Sequence, residues 1–162
     1  MSTKFAPSVD LHSFIGCESS LFFHHDCTYY QVIHIKRFRY TSLVREKLST
    51  DVSFPLTGLD LGPYLSRDRE APSVPQQSST KPPPVLYDLI GVAHHSGSMG
   101  GGHYIAHVDT NCGLSTQENG GGPLAPRWVC FNDSRVSSVN VSNLSGPSAY
   151  VLFYRLRNSD QL

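Results

Sequence analysis

From Tyr29 the chain alternates with period two. Tyr30, Val32, His34, Lys36 and Phe38 fall on one side, and Tyr29, Gln31, Ile33, Ile35 and Arg37 on the other. With β-branched Val32, Ile33 and Ile35 in the run, the pattern predicts a strand that buries Ile33 and Ile35. The adjacent cations Lys36 and Arg37 read as a solvated strand end. Upstream, Met1 to Asp26 keep neither the helical nor the strand period, and the segment 1–28 is expected to be poorly defined. Downstream, Lys47 to Pro55 reads as a short extended piece stopped by proline. Leu56 to Leu65 reads as a turn or one-turn helix docked through Leu59, Leu61 and Leu65.

Strand character resumes at Val85 to His95 and leads into the glycine-rich loop Gly97-Ser-Met-Gly-Gly-Gly102. The loop is followed by His103 to Val108, with His103, Ile105 and His107 on one face and Tyr104, Ala106 and Val108 on the other. Arg127 to Asp133 is predicted to place Trp128, Cys130 and Asn132 on one face. If these two strands pair antiparallel with His103 opposite or diagonal to Asn132, their side chains project to the same side, about 5 to 8 Å apart at Cβ. Arg135 to Val139 forms a further strand. Ala149 to Leu156, apolar on both faces, reads as a central one. Ser66 to Pro84 and Asp109 to Pro126 are rich in Pro, Gly, Ser and Asn and read as flexible, dispensable insertions. The sum is a mainly antiparallel β architecture with little helix.

Composition narrows the function classes. The 162 residues suit one domain, and 13 Lys and Arg balance 13 Asp and Glu, so no basic face is available for nucleic acid or an anionic membrane. No run of about 18 apolar residues and no signal-peptide pattern are found, and a soluble intracellular protein, cytoplasmic or nuclear, is expected. The four cysteines Cys17, Cys27, Cys112 and Cys130 form no C-x-x-C pair and are expected to be reduced thiols. Asn132, Asn140 and Asn143 each begin an N-x-S pattern, read as chance in a Ser/Asn-rich region.

His103, at the mouth of a loop whose glycines permit close backbone approach, is the residue that calls for chemistry. Its context extends along the chain. Ile33-His-Ile-Lys-Arg-Phe, Val52-x-Phe-Pro with Leu59-Asp-Leu, Tyr87-Asp-Leu-Ile-Gly-Val, His95-Ser-Gly, Gly101-Gly-His-Tyr, Trp128-x-x-Phe-Asn-Asp and Ala149-Tyr-Val-Leu-Phe-Tyr occur in order. In that order they resemble the C-terminal half of the ubiquitin-specific protease catalytic domain.

The resemblance implies an α+β, papain-like cysteine peptidase fold built as thumb, palm and fingers, of which residues 29–157 look like the palm with a remnant of the fingers, the thumb missing, followed by a tail at 158–162. It implies a ubiquitin carboxyl-terminal hydrolase, cutting after the C-terminal glycine of ubiquitin, with ubiquitin or a ubiquitinated protein as partner and no cofactor. His103 corresponds to the catalytic base, Asn132 to the third triad member and Asp133 to an adjacent assisting acid. Ser96 to Gly102 corresponds to a loop that blocks the ubiquitin tail. Ser96, Gly97, Gly101, Gly102, Tyr104 and Phe131 are the implied substrate contacts. The residue types suit the chemistry, because a thiol near its ordinary pKa needs a histidine to take its proton, and an Asn or Asp decides which ring nitrogen faces the sulfur.

The departures shape the expectation equally. No G-N-T-C-Y-like nucleophile box occurs, Cys17 and Cys27 lie where the family has fingers, and the family's paired C-x-x-C zinc ligands are absent. The chain is therefore expected to supply the His and Asn of a triad without its Cys, as part of a peptidase domain, and to be inactive by itself. The same residues fit a non-catalytic ubiquitin-binding module or inactive fragment. A metal reading built on His94, His95, His103 and His107 is set aside, because neighbouring strand residues point to opposite faces and no carboxylate or thiol completes a set.

Overall fold

The computed structural model describes residues 9–10, 29–64, 84–98, 100–112 and 127–157. Its strands are β1 (Val9–Asp10), β2 (Tyr30–His34), β3 (Phe38–Tyr40), β4 (Arg45–Lys47), β5 (Val52–Ser53), β6 (Leu59–Asp60), β7 (Leu86–Ser98), β8 (Gly101–Asp109), β9 (Trp128–Asn132), β10 (Arg135–Ser138) and β11 (Ala149–Leu156). Short 3-10 turns at Gly62–Tyr64 and Val141–Asn143 are the only helical structure among the described residues, and no helix is long and apolar enough to cross a membrane. The main sheet runs β10-β9-β8-β7-β11-β2, with β6 added beside the start of β7. Every pairing in it is antiparallel. β1 pairs with β5 in parallel, and β3 and β4 make a separate two-stranded ribbon.

The alternation from Tyr29 yields β2, with Ile33 and Ile35 buried as expected. They join Val52, Phe54, Leu59, Leu61, Trp128 and Leu144 in the core. Each such side chain contributes about 1.5–3 kcal/mol by leaving water. Leu59 and Leu61 dock as the sequence suggests, through β6 and the following 3-10 turn, while Leu65 lies outside the described residues. So do Cys17, Cys27, the tail, and the insertions except Pro84 and Asp109 to Cys112. β11 lies between β7 and β2, the central position its two apolar faces imply.

Arg37 overturns the solvated-strand-end reading. Only 2% of it is exposed. Its Nε donates to the Ala149 carbonyl at 2.6 Å, Nη1 to those of Leu48 at 3.2 Å and Thr50 at 2.7 Å, and Nη2 to that of Gly146 at 3.1 Å. The planar fork of donors thus ties the approach to β5 and the loop before β11 to the end of β2. Burial lowers the guanidinium pKa, and nearby Asp51 opposes that shift.

Two irregularities re-aim side chains. The β7–β11 register skips Ile90 on β7 and Tyr150 on β11. The first lets Tyr87, Leu89 and Val92 all reach the core despite their odd spacing. The second does the same for Ala149 and Leu152 and turns Tyr150 to the other face.

Both insertions spring from the same device. Asp60 Oδ1 accepts from Gly62 N at 2.9 Å and Val85 N at 3.1 Å, while Leu61 N donates to Val85 O at 3.0 Å. Asp109 Oδ1 accepts from Asn111 N at 3.0 Å and Arg127 N at 2.9 Å, while Thr110 N donates to Arg127 O at 2.9 Å. In each case one carboxylate closes an Asx turn and pins the residue where the chain re-enters the sheet. Asp109 is therefore a buried anchor rather than the start of a free loop.

Candidate active site

The glycine-rich segment is mostly ladder. β7 continues through Ser98 and β8 begins at Gly101, with Gly97 opposite Gly102 and Ser98 opposite Gly101. The segment read as a glycine-rich loop from Gly97 to Gly102 is a tight hairpin. Its glycines are not equivalent. Gly97 has φ 118°, and a Cβ there would lie 2.6 Å from Gly101 O and from Gly102 Cα. A Cβ on Gly102 would overlap His95 Nε2 and the Ser96 carbonyl oxygen, whereas one on Gly100 or Gly101 would meet nothing within 4 Å. Only the first two positions demand glycine.

His103 is exposed near the start of β8, opposite Ser96. On its other side β8 pairs with β9, Ala106 facing Phe131. One step further along that register Ile105 faces Asn132, which makes His103 the diagonal neighbour of Asn132 on the same face. The side chains close that diagonal, with His103 Nε2 and Asn132 Oδ1 at 2.7 Å. An amide oxygen only accepts, so Nε2 carries a proton, and in the neutral ring Nδ1 keeps the lone pair.

Asp133 follows in the two-residue turn between β9 and β10. Its φ of 52° is the only positive value among described non-glycine residues. The side chain is exposed, and the carboxylate has no hydrogen-bond partner among the described residues. A non-glycine residue held in this region is strained, a feature that clusters at functional sites.

The implied substrate contacts divide between two faces. Ser96 shares a face with His103 and Asn132, while Gly102, Tyr104 and Phe131 face the other way. Tyr104 is 56% exposed. It leans on a group that the alternation pattern does not reveal: its ring lies 4.6 Å from His95 and 6.2 Å from Tyr150, and Phe38 lies 5.6 Å from His95. These residues come from β3, β7, β8 and β11, and Tyr150 joins them only through the bulge on β11. The family blocks contain all of them, but period-two reading has no means of assembling them.

His94 points into the core. Its ring lies 4.3 Å from that of His107, and its Nδ1 lies 3.0 Å from Ser148 Oγ. Burial first, then His107 and Arg37, pull the His94 pKa down to about 4, and burial lowers that of His107. His94 Nε2 and His107 Nδ1 have no hydrogen-bond partner among the described residues. His107 is thus a packing residue, buried against His94. Among the described residues no three His, Cys, Asp or Glu side chains are grouped so as to hold a metal ion.

An antiparallel sheet that presents an exposed histidine whose ring is oriented by an amide oxygen offers the type of base that triad hydrolases use. Residues 25–154 match the family model described as ubiquitin carboxyl-terminal hydrolase, and the chain belongs to that family. It is 37% identical over 132 residues to ubiquitin carboxyl-terminal hydrolase 9 of Arabidopsis thaliana, covering 80% of this chain and 12% of that protein. It is 34% identical over 128 residues to ubiquitin carboxyl-terminal hydrolase 15 of Rattus norvegicus, covering 79% and 11%. The chain thus spans only a small part of the curated relatives it matches. Among solved structures it is similar to the Ubp8-Sgf11-Sgf73-Sus1 SAGA DUB module, with 28% identity, a TM-score of 0.58, and coverage of 83% of this chain and 25% of that one. The same module bound to ubiquitin aldehyde shares its fold at a TM-score of 0.67 and 24% identity, over 93% and 35%.

Proposed function

We propose that this chain forms the palm-like, histidine-bearing wall of a cysteine-type deubiquitinase site that cleaves after the C-terminal glycine of ubiquitin. The observation that carries the reading is the 2.7 Å contact between His103 Nε2 and Asn132 Oδ1. It leaves Nδ1 as the free base, which is the nitrogen a thiol must reach. In this scheme Nδ1 takes the thiol proton, and the thiolate attacks the carbonyl of ubiquitin's last glycine. The imidazolium then returns the proton to the leaving amine, and water cleaves the thioester with Nδ1 again as base. Asn132 holds the tautomer, and Asp133, held at positive φ beside it, supplies negative charge near the imidazolium. Ser96, Gly97, Gly101 and Gly102 line the approach of the Gly-Gly tail, with Tyr104 and Phe131 on the flanking face. Support for ubiquitin as the ligand comes from the family and from the neighbour solved with ubiquitin aldehyde. A reduced thiol fits an intracellular setting, which belongs to the proposal.

No nucleophile box lies within the 162 residues, so this chain alone is expected not to hydrolyse a ubiquitin C-terminal fluorogenic amide. Fused behind the box-containing half of a relative's domain, it is expected to turn the amide over. His103→Ala should then reduce kcat by about a hundred- to ten-thousandfold, and Asn132→Ala by less. Turnover by the chain alone that vanishes with Cys17→Ala overturns the missing-nucleophile reading. A fused enzyme indifferent to His103→Ala overturns the site.

A further inference from the structure

The hairpin that carries His103 stands clear of the sheet. On one side of β7 the last paired residue is His94, opposite Ala149, supplemented by His95 N donating to Ser148 O at 2.8 Å. On the outer side of β8 the ladder with β9 ends at Ala106. Among the described residues Ser96 to Ser98 and Gly101 to His103 therefore form ladder pairs only with each other, and all of them are exposed. Such a two-stranded tip is marginal in water without further support.

Its root has that support. Lys47, from the β3–β4 ribbon, donates from Nζ to the His95 carbonyl at 2.6 Å. The His95 ring, 3% exposed, is held among Phe38, Tyr104 and Tyr150 at 5.6, 4.6 and 5.7 Å. Its Nε2 occupies the space a Gly102 side chain would fill. We propose that Lys47 and His95 are positioning residues: Lys47 fixes the backbone where the hairpin leaves the sheet, and the His95 ring seats Gly102, so that together they aim the adjacent His103 at Asn132. Burial first, and then Lys47, lower the His95 pKa and favour the neutral ring, which suits one packed at tilted and edge angles among aromatics. The inference rests on the reading of His103 as the base.

Amide hydrogen exchange and imidazole 15N shifts, measured by NMR on this chain, test it without any need for turnover. Lys47→Met should speed exchange of the Gly101 and His103 amides, whose N–H groups face β7, by about ten- to a hundredfold, the range expected for losing one hydrogen bond to a charged group. The His103 shifts should move from the Nε2–H tautomer toward a mixture, while the β2–β11 amides keep their protection. Lys47→Arg, which retains a cationic donor, should restore both signals, and Gly102→Ala should loosen the same amides with Lys47 intact. Unchanged exchange in Lys47→Met overturns the proposal. So does equal acceleration across the whole sheet, since that is general destabilisation. In the fused enzyme Lys47→Met should lower kcat more than it raises KM. Wild-type fusion without turnover counts against the catalytic reading and leaves the exchange result to judge Lys47.

Discussion

Replacing Arg37 by alanine should remove a large share of the stability of this chain. The guanidinium is 2% exposed and makes four hydrogen bonds to main-chain carbonyls, two of them more than 100 residues away in sequence, Gly146 and Ala149. Hydrogen bonds to a charged group are worth about 1.5–3 kcal/mol each. The four share one group, and some of the carbonyls regain water when it is removed, so counting two or three of them at the lower end gives about 3–5 kcal/mol. Domains of this kind are stable by about 5–15 kcal/mol in total. Trp128, the single tryptophan and a core residue, provides a built-in fluorescence reporter of urea unfolding. With a urea slope of about 2 kcal/mol per molar, the midpoint should fall by about 2 M. Arg37→Lys should recover only part of this, because one ammonium cannot reach carbonyls spread across a planar fork. A midpoint shift below about 0.5 M in Arg37→Ala refutes the claim that this residue ties the loops together.

Two further predictions follow from buried polar groups. The His94 pKa is about 4 in the fold against 6.5 unfolded, and those of His95 and His107 are also lowered. The unfolded chain thus binds more protons between these values, so stability is full above pH 6.5 and declines as pH falls toward 4, by about 3 kcal/mol from His94 alone. Urea midpoints at pH 7.5, 5.5 and 4.5 should show that decline, and His94→Phe should flatten it; a flat wild-type profile counts against neutral burial. The aspartate clamps predict that replacing residues 66–83 or 113–126 by a short Gly-Ser linker leaves the thermal midpoint within a few degrees, while Asp60→Ala or Asp109→Ala costs about 1–3 kcal/mol. Calorimetry on the four variants decides it, and linker variants that melt well before the aspartate variants reverse the assignment.

The antiparallel β class, the buried pair Ile33 and Ile35 and the faces of β8 and β9, which put His103 and Asn132 on one side if the strands pair, were legible in the sequence. The reason is physical: alternation assigns each side chain to a face locally, and a strand needs no distant information to do so. The family resemblance added roles that spacing alone does not supply. Distant neighbours decided the rest. The diagonal between His103 and Asn132 depends on the β8–β9 register. The bulges at Ile90 and Tyr150 shift that local parity, bringing Leu89 with Val92 and sending Tyr150 to the aromatic group. Arg37 looks like a surface cation beside Lys36 until carbonyls from residues 48, 50, 146 and 149 converge on it. Asp60 and Asp109 look like loop residues until the returning chain offers its N–H groups. Hydrogen-bond partners far apart in sequence leave no periodic trace, so the buried polar framework that sets up this site emerges only once the sheet has closed.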